Sequence, residues 1–312
     1  MRKTIASLGS AALILLALPS QLMAETLPIE GVYPAGNDKL ATLSTLAMSP
    51  CGGADGEALS IDLEQKLRDV TIRGNSYFNI LASRGRGGVD GIISGTANGR
   101  SESRHELGQR QECVYRNAKG NCKETRWVKI NCTRRIVTLN YTLGVEGSRR
   151  ERIFAITKTA VNSELICPDS GEVAPVDVVV GQLVSGVANE LRMQFAPAEI
   201  RENIRVKEGV EGLQGNAKSK FKDAIKLTKR NVTSACNVWT EVDQLVPNHS
   251  PTLFNLGLCA ESRRDYNGAE ALYKRVADLN RSETYAVEAI ARINRHRHAE
   301  RQIAAQATKT RK

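Results

Sequence analysis

Leu256 to Ala277 reads LGLCAESRRDYNGAEALYKRVA, and its spacing decides how the second half of the chain folds. Leu256-Gly257 places a small residue where a neighbouring helix must come close. Asp265-Tyr266 restarts the pattern after a charged break, and Ala269, Tyr273 and Val276-Ala277 then fall on one face of a helix. A shift back by 34 residues puts Ala269 on Ala235, Tyr273 on Trp239 and Val276 on Val242, and Pro247 ends the earlier unit. Two consecutive helical hairpins of one plan are therefore expected. The earlier unit departs at Asp223, which stands where the small residue belongs, although Phe221, Ala224, Ile225 and Thr228 keep an apolar face. A last helix over about 283–306 is expected to bury Ala286, Ile290 and Ile293 and to expose its charges as an end cap.

Upstream, Arg205–Gly215 (RVKEGVEGLQG) reads as a charged, glycine-containing linker. Before it the text changes from helical to mixed. Residues 31–38 form a loose lead-in and residues 39–48 a first strand, and Asp55 caps a helix to about Val70 on Leu59, Leu63 and Leu67. Strands follow at 77–82 and 89–96, around a glycine-rich turn at 84–88. Residues 101–145 read as a long β-hairpin turning at Arg116–Asn121. On its return Val128, Ile130 and Cys132 share one face, whereas Val137, Leu139, Tyr141 and Leu143 share the other. Such a switch near Arg134-Arg135 calls for a bulge or a change of packing partner. A strand at 153–161 and a helix at 176–191 with the stripe Val176, Val180, Leu183, Val184, Val187 and Leu191 complete the unit. Pro197 stops that helix, and residues 200–206 return as an edge strand. The class expected is α+β: an N-terminal α/β sandwich with a mostly antiparallel sheet and two main helices, then an all-α helical array.

The 312 residues carry 44 Lys+Arg against 34 Asp+Glu, a net +10, and 41% are hydrophobic. That composition suits packed cores and excludes a disordered chain or a many-span membrane protein. Residues 1–24 have the form of a cleaved targeting segment: Arg2 and Lys3, an apolar run at Ala11–Leu18, and Leu22-Met23-Ala24 at the cut. Without them the net charge is +8 and all seven cysteines meet an oxidising compartment. Cys113 and Cys122 flank the hairpin turn, and Cys236 and Cys259 lie on consecutive helices, so both pairs are disulfide candidates. Cys51, Cys132 and Cys167 remain, with at least one thiol unpaired or joined to another chain. The excess positive charge sits in 101–152 and 285–312, with Arg116, Lys119, Arg134, Arg135, Arg295 and Arg297 as the expected basic surface. Envelope proteins, anionic outer-membrane lipid or an acidic protein surface suit such patches better than nucleic acid, since aromatics do not line them.

Motifs for chemistry fail one by one. No Cys-x-x-Cys occurs, and His105-Glu106 lacks the second histidine of a zinc protease. His296 and His298, two apart on a helix, point to different faces and read as solvated. No Gly-x-Ser-x-Gly elbow is present. The glycines of 85–91 precede a strand rather than a helix that would hold phosphate. Five Asn-x-Ser/Thr sequons, at Asn131, Asn140, Asn231, Asn248 and Asn280, matter only in a eukaryotic source. No catalytic residue, cofactor or metal is expected.

The helical half resembles the tetratricopeptide repeat, with Trp239, Leu256, Gly257, Tyr266, Ala269 and Tyr273 as groove and packing positions. Asp62–Val70 (DLEQKLRDV), Tyr77–Leu81 (YFNIL), Val89–Gly95 (VDGIISG), the cysteine-bearing hairpin and the helix near 176–191 resemble the curli-assembly-component type of exported α/β domain. The resemblance implies domains at 25–209, 210–282 and 283–312, and work in assembly or secretion at the bacterial outer membrane. The expected function is a non-enzymatic periplasmic scaffold or adaptor holding a partner in the repeat groove; the alternative is an activator of a cell-envelope enzyme. Two departures argue against a lipid-anchored pore. Glu25 occupies the position of the anchoring cysteine, and residues 104–126 are dense in charge where a membrane-crossing hairpin alternates apolar residues.

Overall fold

A computed structural model describes residues 25–81, 88–280 and 284–310. The targeting segment and most of the glycine-rich turn at 84–88 lie outside the described residues. In chain order the elements are β1 (Thr26–Tyr33), α1 (Asp38–Ala41), β2 (Thr45–Met48), α2 (Gly56–Arg68), β3 (Thr71–Ile72), β4 (Asn75–Ser76) and β5 (Asn79–Leu81). Then come β6 (Gly91–Arg116), β7 (Cys122–Gly147), β8 (Arg152–Ile166), α3 (Val176–Phe195) and β9 (Ala198–Arg205). Five helices follow: α4 (Gly215–Leu227), α5 (Val232–Leu245), α6 (Ser250–Ser262), α7 (Tyr266–Leu279) and α8 (Thr284–Thr310).

The main sheet has the order β5-β2-β6-β7-β8 and is not closed. β6, β7 and β8 are antiparallel neighbours, whereas β2 runs parallel to both β5 and β6. Helices α2 and α3 cover one face. Leu59, Leu63 and Leu67 of α2 are fully buried, as their spacing requires, in one core with Val137, Leu139, Tyr141, Leu143 and Val145, which alternate along β7. Asp55 stands at the start of α2 but does not cap it. Its carboxylate instead accepts from the Gly99 N–H at 2.6 Å and ties the helix to β6. In α3 the buried stripe runs through Val179, Val180, Val184, Val187, Ala188, Leu191 and Phe195, while Val176 is exposed.

The change of phase on β7 is resolved without a bulge. Pairing with β6 and β8 is continuous through Arg134 and Arg135; the register shifts lie elsewhere, on either side of Tyr115 against β6 and between Val145 and Glu146 against β8. What changes is the packing partner: Cys132 is buried by its bridge to Cys167, not by the helices.

The N-terminal segment differs from expectation. Residues 26–33 form a strand, and 38–41 are a helical turn, because the Asn37 side chain accepts from the Lys39 and Leu40 amides at 3.0 and 3.1 Å. β9 pairs with β1, from Thr26 opposite Arg205 to Tyr33 opposite Ala198, and does not join the main sheet. Leu27 and Ile29 of this ribbon are buried among Leu253, Phe254, Leu258 and Ile293 of the helices.

Residues 205–215 are no loose linker. Val206 and Leu213 are buried, the Lys207 amide donates to Asn255 Oδ1 at 2.8 Å, and Asn255 Nδ2 donates to the Lys207 carbonyl at 2.9 Å. The helices pack in sequence order, α4 on α5, α5 on α6, α6 on α7 and α7 on α8. Asn231 and Asp265 cap α5 and α7 through the Ser234 and Gly268 amides. Nor is α8 an outer cap. Its second half reaches back to the α/β unit, where Ala299 enters that core and Gln302 pairs with both polar groups of the Ala35 backbone. Gln306 donates to the carbonyls of Leu43 and Tyr77 at 2.9 and 2.6 Å.

Candidate contact site on a disulfide-closed arm

β8 accompanies β7 only as far as Thr133 opposite Ile166. Beyond that point β6 and β7 continue alone, from Glu106 opposite Cys132 to Arg116 opposite Cys122. At the usual rise per residue the ribbon extends roughly 35 Å. A two-stranded ribbon is marginal in water on its own, and covalent bonds support it at both ends. Cys132–Cys167 clamps its root to the segment after β8, and Cys113–Cys122 closes its tip. Both the Cys113–Cys122 and the Cys236–Cys259 expectations are met, the latter joining α5 to α6; Cys51 is the free, buried thiol among the described residues. Burial pushes the Cys51 thiol above its ordinary pKa, so it is a packed side chain rather than a nucleophile.

The expected basic residues divide by position. At the root Arg134 grips Glu106 with two bonds of 2.8 and 2.7 Å, holding that carboxyl below its ordinary pKa. Arg135 bonds Glu164 and donates to the Ala174 carbonyl at 2.5 Å. Both are committed inside the fold. Arg295 lies over the Tyr33 ring at 5.3 Å, and Arg297 binds Glu270 and Asn267. At the tip, Arg116 reaches only its own turn, donating to the Gly120 carbonyl at 3.1 Å. Asn117 Oδ1 accepts from the amides of Lys119 and Asn121, and Gly120 takes a φ of 79° that closes the turn. Lys119, Lys123, Arg126 and Lys129 are exposed and make no ion pair among the described residues. Among them stand four exposed apolar side chains: Leu107 and Trp127, each 63% exposed, Tyr115 at 58% and Val114 at 48%. The expectation that aromatics do not line this patch is corrected: Tyr115 and Trp127 stand among its charges, and they are exposed because β8 ends before the tip.

The repeat positions lie inside the helical body. Trp239, Gly257, Ala269 and Tyr273 are buried, and a Cβ on Gly257 would stand 2.3 Å from the Tyr273 ring. Leu256 and Tyr266 are half-buried, and Tyr266 stacks on His296. Strand β1 of the same chain packs on α6 and α8 beside these positions.

Beside it is a buried polar cluster that sequence reasoning missed. Glu261, fully buried, accepts from Arg292 Nε and Nη2, both at 2.7 Å, and from the Tyr273 hydroxyl at 2.8 Å. His296, expected in solvent, is 1% exposed; its Nδ1 faces the Val32 carbonyl at 3.0 Å and its Nε2 is 3.7 Å from Glu261. His298 instead meets Asp38 at 2.6 Å. The available signal was that Arg292, His296, Gln302 and Gln306 continue the apolar stripe of α8 at helical spacing.

Among the described residues no cluster of histidine, cysteine or carboxylate groups is placed to hold a metal, and no helix is long and apolar enough to cross a membrane. No protein-family model matches the chain, and no curated protein matches it. Among solved structures the chain is similar to the dodecamer of a PelC point variant from Paraburkholderia phytofirmans, at 12% identity over 55% of this chain and 98% of that chain, with a TM-score of 0.24. A likeness that slight carries no argument about fold or function.

Proposed function

We propose that the protein is a non-enzymatic, exported scaffold or adaptor at the bacterial outer membrane. In this reading a curli-assembly-type α/β domain and a tetratricopeptide-like array act as one rigid body in the periplasm. The observation that carries it is the weld between the two halves. The β1–β9 ribbon and α8 join them through buried contacts, so a stapled arm is held at a set position on a stiff support. Three disulfides suit an oxidising compartment. β1 packs on α6 and α8, and in this reading partner proteins meet the outer surfaces, where Leu245, Leu279 and Val287 are exposed on α5, α7 and α8.

Photo-crosslinkers at positions 245, 279 and 287 of the full chain, in cells, test the reading. A scaffold gives the same envelope-protein adduct from neighbouring positions, and the purified chain leaves the turnover of cell-wall synthases unchanged. Absence of any adduct, or a raised synthase turnover, overturns it, the latter in favour of the activator reading.

A further inference from the structure

We infer that the tip of the β6–β7 arm docks on the surface of an anionic phospholipid bilayer. Residues 111–131 hold five Lys/Arg and two Glu, and one of those acids, Glu112, is already bound by Arg110 at 2.5 Å. The free charge there is therefore positive, complementary to phosphate headgroups. Apolar and cationic side chains alternate on it. Gln111 pairs with Trp127, and Gln109 pairs with Lys129, so Leu107, Lys129 and Trp127 line one face of the ribbon. Tyr115 stands opposite Glu124 beyond the register shift.

This mixture fits a lipid interface. Trp and Tyr rings settle at headgroup depth, and lysine stems lie along apolar surface while their ammonium groups stay in water. A protein hot spot would gather its apolar side chains in one compact, dry cluster. Here they are spread along the ribbon with lysines between, an arrangement that a fluid surface accommodates. The same charges prevent the arm from crossing the bilayer, which needs an unbroken outward apolar alternation of about ten residues. The Cys113–Cys122 bridge keeps the tip from fraying. The inference rests on the scaffold reading only for the compartment in which such a bilayer is met.

The two tryptophans make the test direct, since Trp127 is 63% exposed and Trp239 is fully buried. Purified protein is mixed with phosphatidylcholine vesicles, with or without phosphatidylglycerol. The expected result is sedimentation with the phosphatidylglycerol vesicles alone, a blue shift of Trp127 emission, quenching by bromine-labelled lipid, and loss of binding at high salt. Trp127→Ala weakens partitioning by about tenfold, as part of one aromatic burial is lost. Lys119→Gln with Lys123→Gln weakens it by about thirtyfold at low salt. Trp239 emission, unchanged in all variants, certifies the fold. The inference is overturned if wild-type protein ignores phosphatidylglycerol, if both variants bind as wild type does, or if sedimentation requires added envelope protein. Those outcomes leave the crosslinking test of the scaffold untouched.

Discussion

Removing one partner of the buried Glu261–Arg292 pair should destabilise the protein far more than removing both. Arg292→Met deletes two charge-assisted bonds of 2.7 Å and leaves a carboxylate with no exposed surface. Breaking a buried pair from one side costs about 3–5 kcal/mol, because the remaining charge stays desolvated. Glu261 keeps the Tyr273 hydroxyl at 2.8 Å and has His296 at 3.7 Å, so the lower end, about 3 kcal/mol, is expected here. Glu261→Leu combined with Arg292→Met replaces the pair by apolar groups of similar volume, and the net cost should fall to about 1 kcal/mol or less. Urea unfolding followed by Trp239 emission measures both, since that ring is fully buried in the helical core that also holds Tyr273, and Trp127 is already in solvent. A loss under about 1 kcal/mol for Arg292→Met would show that water reaches the pair, and a double variant as unstable as the single one would refute the desolvation argument.

Gly257→Ala should cost about 1–3 kcal/mol, since its Cβ would meet the Tyr273 ring at 2.3 Å and push α6 from α7; a neutral result in urea unfolding would count against that contact. Burial holds the His249 imidazole below its ordinary pKa, against the pull of Glu211, so folding favours the neutral ring. The stability it supports is complete above the ordinary histidine value of about 6.5 and is lost as pH falls through it toward the depressed folded value. The gap between wild type and His249→Asn should therefore narrow from about pH 7 to about pH 5, and a constant gap would contradict it. Replacing Cys132 and Cys167 by alanine opens a 35-residue loop and should cost up to about 4 kcal/mol in thermal or urea unfolding, with proteolysis of the arm increased; an unchanged arm would show that the β6–β7 ladder alone holds it.

Local chemistry was legible where it acts over a few residues. The turn Asn117–Gly120 announced the hairpin tip, and cysteines on either side of it announced their bridge. Helical spacing of Leu59, Leu63 and Leu67, and the 34-residue recurrence through Ala269, Tyr273 and Val276, placed α2 and helices α5 and α7. The Cys132–Cys167 bridge was not legible, because it depends on the β7–β8 register that sets Thr133 against Ile166. The end of β1 falls in the lead-in expected over 31–38, and the strand as a whole is not legible because its pairing partner β9 lies far along the chain. The glycine has a reason only in three dimensions: a Cβ there would stand 2.1 Å from the His296 ring.

By themselves, then, the residues determined the main helices and the long hairpin strands, where the hairpin turns, and that positive charge collects on it, but not β1 or the helical turn at 38–41. Those properties follow from neighbours in sequence, through periodicity, turn chemistry and composition. Tertiary structure decided which charges are spent and which are free. Arg134, Arg135 and Arg297 are consumed by carboxylates brought from other elements, whereas Lys119, Lys123, Arg126 and Lys129 stand beyond the end of β8 and make no ion pair among the described residues. It also packed β1 on α6 and α8 and drew His296 out of solvent. Burial is a property of the assembled layers, and no single stretch of sequence contains it.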